Sequence, residues 1–412
     1  MKISSRLLMI MILSTMFILT LIGGISLNVS KKEKPDNEPV IVNPENKKIP
    51  SSFKGTISDD YSVPQEVMDV ITSYMDAYYT SLYTLETVDT TGMFSSDLEG
   101  TISDQAIKLL IDSRKLHDFD FSLKAAHYDL RVSDYEQNGN RYRVDILEDD
   151  YFSFAFLNGI ESSVYDIENY FVIENTDGVY KIASLDKVQG YYMCIHDEAD
   201  TVSKAAEIHD YYLKELKDML AYNNEILKVK AANKSYVASK SSRTPYNREA
   251  ALAYADQYYH KRNPEWYNFS DEGGNCQNYA SQCMLKGNIA MDYYGEEQWK
   301  CYIEDPDYDP EVNEEETANG RSRSWVNVGY FYDYAKYNEG QGLVAETNVN
   351  LYYAEPGDII LVGNGGVSHT VIVSKVVDGH ILVNSNSIDM KDYPVEAYTY
   401  LNIILIKILG SN

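Results

Sequence analysis

The stretch from Asp271 to Gly287 contains the cysteine best placed for chemistry. Gly273 and Gly274 permit a tight turn, Asn275 can cap, and the residues that follow predict a short helix. Cys276 therefore lies at a predicted helix amino terminus, where partial positive charge and free N–H groups favour a thiolate. The same N–H groups can bind the oxyanion that develops in acyl transfer.

A candidate base lies almost a hundred residues downstream. His369 follows Gly365 and Gly366 and begins an apolar run that predicts a buried strand, so its ring can be held rigidly at a cleft. Further on, the predicted strand from Ile381 to Asn386 places Asn384 and Asn386 on one face. Either amide oxygen could accept the imidazole N–H and fix its tautomer.

Each of these residues has a structural interpretation when taken singly. A lone Cys near a helix start is usually a small buried hydrophobe, and a lone His near a strand start is usually just hydrogen-bonded. Their combination, with a Gly-rich turn before each residue, favours nucleophilic catalysis.

Several ordered motifs resemble the putative amidase domain family, which is related to NlpC-like and CHAP cysteine peptidases. The resemblance covers roughly the last two-fifths of the chain. Its motifs are Tyr246-Asn-Arg-Glu-Ala250 with Tyr254-Ala255, Gly274-Asn-Cys-Gln-Asn278 with Ser281-Gln282, Ser324-Trp325, Pro356-Gly357-Asp358 and Ser368-His369.

The resemblance implies a papain-like α+β fold, with Cys276 as nucleophile and His369 as general base. Asn386 stands where the family more often has a His, so the resemblance gives it the third catalytic role, with Asn384 and Asp389 as alternatives. The family also commonly has Thr where Gln277 stands. The implied activity is hydrolysis of peptide or amide bonds, with cell-wall peptidoglycan as the substrate.

Two other functions stay open at this point. One is a surface-anchored binding or scaffold module that has a hydrolase-like fold without activity, for which Asn386 is the argument. The other is acyl transfer to an amine instead of water. Cys283 and Cys301 are interpreted as structural, either free or disulfide-linked.

Other chemistries lack their motifs. HExxH is absent and the seven His residues are scattered, so we expect no metal. Gly-rich phosphate loops are absent, so we expect no nucleotide cofactor, and GxSxG is absent, which argues against a serine hydrolase. The net charge of −27 extends along the chain without basic stripes, which argues against a nucleic-acid partner.

The chain is predicted to hold two folded units, since 412 residues exceed the usual size of one core. Residues 56–197 predict an α+β accessory domain, helices first and an antiparallel meander afterwards, loosely resembling an NTF2-like domain. Residues 198–245 predict a helical connector and hinge. Residues 246–412 predict the hydrolase domain, helices first and strands afterwards.

The amino-terminal residues predict a membrane segment. Lys2 and Arg6 precede an uncharged apolar stretch from Leu7 to Leu27, and no Ala-x-Ala cleavage site follows, so residues 1–29 are interpreted as an anchor in preference to a cleaved signal peptide. Residues 30–55 predict a disordered tether. The folded domains are then expected outside the cell, attached to its membrane.

Overall fold

A computed structural model describes residues 53–232, 236–294, 297–301 and 321–412. The first half of the described chain contains two long helices, a meander of long strands and a helical connector. Its strands are β1 Phe53–Ser58, β2 Leu123–Asn138, β3 Arg141–Phe154, β4 Ser162–Thr176 and β5 Val179–Lys187. Its helices are α1 Gln65–Thr84, α2 Asp97–Lys115, α3 Gly190–His196 and α4 Val202–Ala232.

The second half begins with helices and ends in strands. The helices are α5 Arg248–Tyr258, α6 Cys276–Lys286, α7 Arg323–Val326 and α8 Val328–Tyr337. The strands are β6 Thr244–Pro245, β7 Leu343–Val349, β8 Ile359–Gly363, β9 His369–Val377, β10 His380–Ser385, β11 Asp389–Pro394 and β12 Asn402–Ser411.

The accessory elements form where local signals favour them. Helix α1 buries Val67, Ile71 and Tyr74 on one face, the periodicity expected of an amphipathic helix. Strands β4 and β5 are joined by Asp177 and Gly178, both with positive φ (54° and 85°), and two positive φ values make the tight hairpin turn that suits the twist of antiparallel strands.

One mostly antiparallel sheet runs through both halves of the chain. Its strand order is β1-β2-β3-β4-β11-β10-β9-β8-β12-β6, with β5 on β4 and β7 on β12, and only β1 pairs in parallel, with β2. The two halves meet where β4 pairs with β11, opposing Tyr165 to Asp389 and Ser163 to Lys391. The accessory sheet is therefore hydrogen-bonded directly to the sheet that contains His369.

The prediction of a mixed α and β chain is confirmed in its coarse form, while the papain-like and NTF2-like assignments remain predictions. The order of elements in each half follows the sequence patterns. The division into separate domains did not anticipate the shared sheet, and β1 begins at Phe53, inside the segment predicted to be a tether.

The prediction of a membrane-anchored protein is corrected by the helices. Within the described ranges, none is both long enough and apolar enough to cross a bilayer. Helix α4 has 31 residues, but exposed charged side chains such as Lys204, Glu207 and Lys214 interrupt it. The stretch from Leu7 to Leu27 lies outside the described residues, and the signal, extracellular and cell-wall assignments that depended on it have no support.

Candidate active site

A glycine turn delivers Cys276 to the first position of α6. Gly273 and Gly274 have φ values of +105° and +110°, which glycine adopts without steric cost. Asn275 precedes the helix, but its side chain does not cap it. Its Nδ2 instead donates to Asn386 Oδ1 at 2.8 Å, which ties the turn to the end of β10.

Burial dominates the electrostatics of the Cys276 thiol. The residue is 8% exposed, and desolvation raises the pKa of the thiol above its ordinary value. The backbone N–H groups of Thr370, Gln277 and Cys276 itself act in the opposite direction. The helix terminus therefore lowers the pKa as expected, but the loss of water outweighs it, and the resting group is a neutral thiol.

The Thr370 N–H donates to the Cys276 sulfur. Thr370 directly follows His369 as the second residue of β9, so this hydrogen bond places the start of β9 next to the thiol. A side-chain contact supports this arrangement: Thr370 Oγ1 donates to Gln277 Oε1 at 2.8 Å, and Gln277 Nε2 donates to Ser281 Oγ at 3.1 Å. Gln277, which departs from the family pattern, therefore connects the helix of the nucleophile to the strand of the base.

His369 is held by a residue that the sequence did not single out. Its Nε2 lies 2.8 Å from Ser385 Oγ, and Ser385 is fully buried. The Ser385 hydroxyl also donates to the Ser387 carbonyl at 3.5 Å, which leaves its lone pairs to accept from Nε2–H. With its proton on Nε2 the ring donates to Ser385 Oγ and keeps Nδ1 basic, and this is the tautomer that a general base at Nδ1 requires.

Desolvation lowers the pKa of His369 to about 4. The imidazole is therefore neutral at physiological pH, as a general base must be before it accepts a proton. A neutral thiol and a neutral imidazole differ from the thiolate that the helix terminus was expected to favour. The physical reason is that burial penalises both charged forms.

The three candidates for the orienting residue have other partners. Asn386 bridges Asn275 and the Tyr258 carbonyl, to which its Nδ2 donates at 2.7 Å. Asn384 Oδ1 accepts from the Asp392 N–H at 2.9 Å. Since side chains alternate along a strand, Ser385 projects to the face opposite its two asparagine neighbours, and that face holds His369.

Asp389, the remaining alternative, belongs to an ion-pair network at the junction of the two halves. It accepts from Arg262 Nη1 at 3.0 Å and lies 3.3 Å from His260 Nδ1. Asp166 of β4 brings a ligand atom within 4.8 Å of those of His260 and Asp389, but Asp166 pairs with Arg131 at 2.5 Å. Arginines thus neutralise both carboxylates of this group.

The other motif residues build the scaffold around the site. Asp358 of the Pro-Gly-Asp motif is fully buried and pairs with Arg248 at 2.8 Å and with Lys407 at 3.0 Å. Trp325 Nε1 donates to Asn278 Oδ1 at 2.9 Å, and Tyr254 donates to Gln282 at 2.6 Å. These contacts fix α6 against α5 and α7.

All four cysteines of the chain are buried and none forms a disulfide: Cys194, Cys276, Cys283 and Cys301. The disulfide alternative for Cys283 and Cys301 is thereby removed. Cys283 is buried within the core of the second half, as its position on α6 predicts, and burial raises the pKa of its thiol far above the ordinary range.

Comparisons with known proteins identify the family that the C-terminal part of the chain resembles. Residues 245–409 match the family described as putative amidase domain, which confirms the resemblance in the C-terminal part of the chain. The chain is also 29% identical over 150 residues to the uncharacterized protein YhbB of Bacillus subtilis (strain 168). That alignment covers 35% of this chain and 43% of the relative, so the chain spans less than half of the relative's length.

A structural comparison adds no argument about the fold. A crystal structure described as a putative aromatic ring hydroxylase from Novosphingobium aromaticivorans aligns with 35% of this chain and 99% of its own, at 12% identity and a TM-score of 0.20.

Proposed function

Because residues 245–409 match the putative amidase domain family, we propose that this chain hydrolyses amide bonds through a thioester on Cys276. The match itself supports an amide hydrolase in general. The observation that carries the cysteine mechanism is a helix-terminal thiol that accepts from the N–H of Thr370, the residue directly after His369, together with the hydrogen bond between His369 Nε2 and Ser385 Oγ.

The reaction begins from two neutral groups. Cys276 Sγ attacks the amide carbonyl carbon while His369 Nδ1 takes the thiol proton, so that charge appears only as the bond forms. N–H groups at the start of α6 stabilise the oxyanion. The C–N bond then breaks, the amine leaves with the proton from His369, and water hydrolyses the thioester with the same imidazole as base.

This mechanism gives Asn386 a positioning role. Through Asn275 it holds the turn that presents Cys276, while Ser385 orients the base. Peptides and peptidoglycan, the substrates that the family resemblance implied, both contain amide bonds that this mechanism could cleave. They are therefore tested separately.

The first test compares two thiols of equal exposure in the same chain. Cys276 and Cys301 are both 8% exposed, but it is Cys276 that begins α6 and accepts from the Thr370 N–H at the start of β9. We expect iodoacetamide to alkylate Cys276 faster than Cys301 near neutral pH, as followed by peptide mass spectrometry, and His369→Ala to abolish the difference. Equal rates in the wild-type chain, unchanged by His369→Ala, would identify an inactive binding module.

The second test looks for the covalent intermediate. The purified chain is incubated with acetylated peptides or with peptidoglycan fragments, quenched in acid and weighed by mass spectrometry. We expect an acyl adduct on Cys276 that is missing in Cys276→Ala. Adding an amine acceptor separates hydrolysis from acyl transfer, because transfer would yield a new amide in place of the free acid.

A further inference from the structure

A small cavity lies between the two halves of the chain and reaches the candidate base. It has a volume of about 60 Å³, and its walls include Arg114, Phe152 and Tyr191 from the accessory half and His369, Tyr393 and Tyr398 from the other half. At roughly 10–15 Å³ of such space per water molecule, it has room for about four to six waters or one small organic group. We call it the junction cavity.

Arg114 contributes a buried cation with two unfilled donors. The residue is 3% exposed and hydrogen-bonds to the Tyr393 side chain, but no described residue accepts from its Nε or Nη1. Its guanidinium carbon lies 5.4 Å from the ring centroid of Phe121 and 5.6 Å from that of Phe154. A buried cation whose N–H donors are unfilled is unfavourable, so a ligand that accepts from these two nitrogens would stabilise it.

The lining of the junction cavity suits an anion. Among the described residues that line it none is acidic, although the chain as a whole has a net charge of −27, and the nearby carboxylates Glu148 and Asp150 do not line it. Tyr393 also lines the cavity beside the guanidinium, and burial raises the pKa of its hydroxyl, which therefore remains a hydrogen-bond donor. The planar guanidinium matches a carboxylate, which it binds through two parallel N–H bonds.

The position of His369 decides which half of a substrate occupies the junction cavity. His369 lines the cavity, whereas Cys276 does not. In amide hydrolysis the acyl half becomes bound to the sulfur, while the leaving amine receives its proton from the imidazole. A cavity that opens on the imidazole therefore receives the amine half.

We propose that the junction cavity binds a carboxylate on the leaving amine, so that the substrates are amides of small amino acids with a free carboxyl group. This inference rests on the proposed function. The nucleophile cleaves the last peptide bond, the amine departs as a free amino acid with its carboxylate on Arg114, and water releases the shortened acyl chain as an acid. One water is consumed for each bond cleaved.

The activity test uses two acetylated peptides that differ only at the end, one with a terminal alanine carboxylate and one with alaninamide. We expect the wild-type chain to prefer the free acid. Arg114→Met should lower kcat/KM for the free acid by about 30-fold or more, the lower range for truncating one partner of a buried charge pair, and change that for alaninamide by less than about 3-fold.

Two further variants control for charge and folding. Arg114→Lys keeps the positive charge without the planar fork and should retain part of the preference. Arg143→Met removes an arginine whose side chain is 42% exposed, and it should leave kcat/KM unchanged for both peptides. Equal losses on both peptides in Arg114→Met, or no preference in the wild-type chain while it cleaves both, would overturn the proposal.

A binding test separates this proposal from the proposed function. In the Cys276→Ala background, alanine should raise the melting temperature in a dose-dependent way while alaninamide does not, and Arg114→Met should abolish the difference. If alanine stabilises the chain in this way but the wild-type chain cleaves no peptide, the proposed amidase activity is refuted and the carboxylate site is supported. Equal shifts with alanine and alaninamide would refute the carboxylate site.

Discussion

Replacing Ser385 with Ala should disable the candidate base without removing it. Ser385 is fully buried, and its Oγ lies 2.8 Å from His369 Nε2. In the variant, Nε2–H loses its acceptor within the protein interior, which costs about 1–3 kcal/mol. The ring can avoid this cost by rotating or by moving its proton to Nδ1, and either change removes the basic Nδ1 that the proposed mechanism uses.

The expected loss in rate follows from the same range of energies. About 1–3 kcal/mol corresponds to a fall of about 5- to 150-fold. The assay is alkylation of Cys276 by iodoacetamide at neutral pH, with Cys301 of the same chain as the internal reference. Ser385→Ala should bring the Cys276 rate down toward that of Cys301, while Ser385→Thr, which keeps a hydroxyl, should preserve more of it.

Ser374→Ala provides the matched control. Ser374 lies on β9, the strand of His369, and donates to Asp392 Oδ1 at 2.8 Å, so Ser374→Ala removes a comparable side-chain hydrogen bond away from the imidazole. We expect both variants to lower the free energy of unfolding, but only Ser385→Ala to slow alkylation. The tautomer argument would be refuted if the Cys276 rate were unchanged in Ser385→Ala, or reduced equally in Ser374→Ala.

Two further predictions concern the base and the turn. Burial lowers the pKa of His369 from 6.5 to about 4, so between those values the unfolded chain binds a proton that the folded chain does not. His369 should therefore reduce stability as the pH falls from about 6.5 to about 4, by at most about 3 kcal/mol, and denaturant unfolding across that range should lose this component in His369→Gln. An identical pH dependence in both chains would contradict the assignment of a neutral buried imidazole. In the turn, Gly274→Ala places a side chain at a φ of +110° and should cost about 1–3 kcal/mol of stability and slow alkylation of Cys276. Gly178→Ala, at a φ of +85° in the remote hairpin with no atoms near the added methyl, should lower stability with no change in that rate; equal slowing by both would show that the turn has no specific role.

The candidate nucleophile and the candidate base could be predicted from the sequence. A Gly-Gly turn before a helix and a Gly-rich turn before an apolar strand are local patterns, and the geometry of Cys276 and His369 follows those patterns. The residue that orients the base could not be predicted in this way. Asn386 and Asn384 were predicted because an amide oxygen can accept from an imidazole. Ser385 contacts His369 because its side chain lies on the opposite face of the strand, and strand pairing decides which face is turned toward the imidazole.

What the sequence alone determined is local in origin. Hydrophobic periodicity, turn glycines and ordered motifs indicated the two halves of the chain, the helix of Cys276, the strand of His369 and the family of residues 245–409. Such signals come from neighbouring residues, so they can be recognised without knowledge of the rest of the fold.

Only the tertiary structure decided how the two halves combine. The pairing of β4 with β11 joins residues more than two hundred positions apart, and it places Arg114 of the accessory half in the same cavity as His369. It also decided that Cys276 and His369 are neutral at rest, because desolvation depends on everything packed around a group and not on its neighbours in the chain.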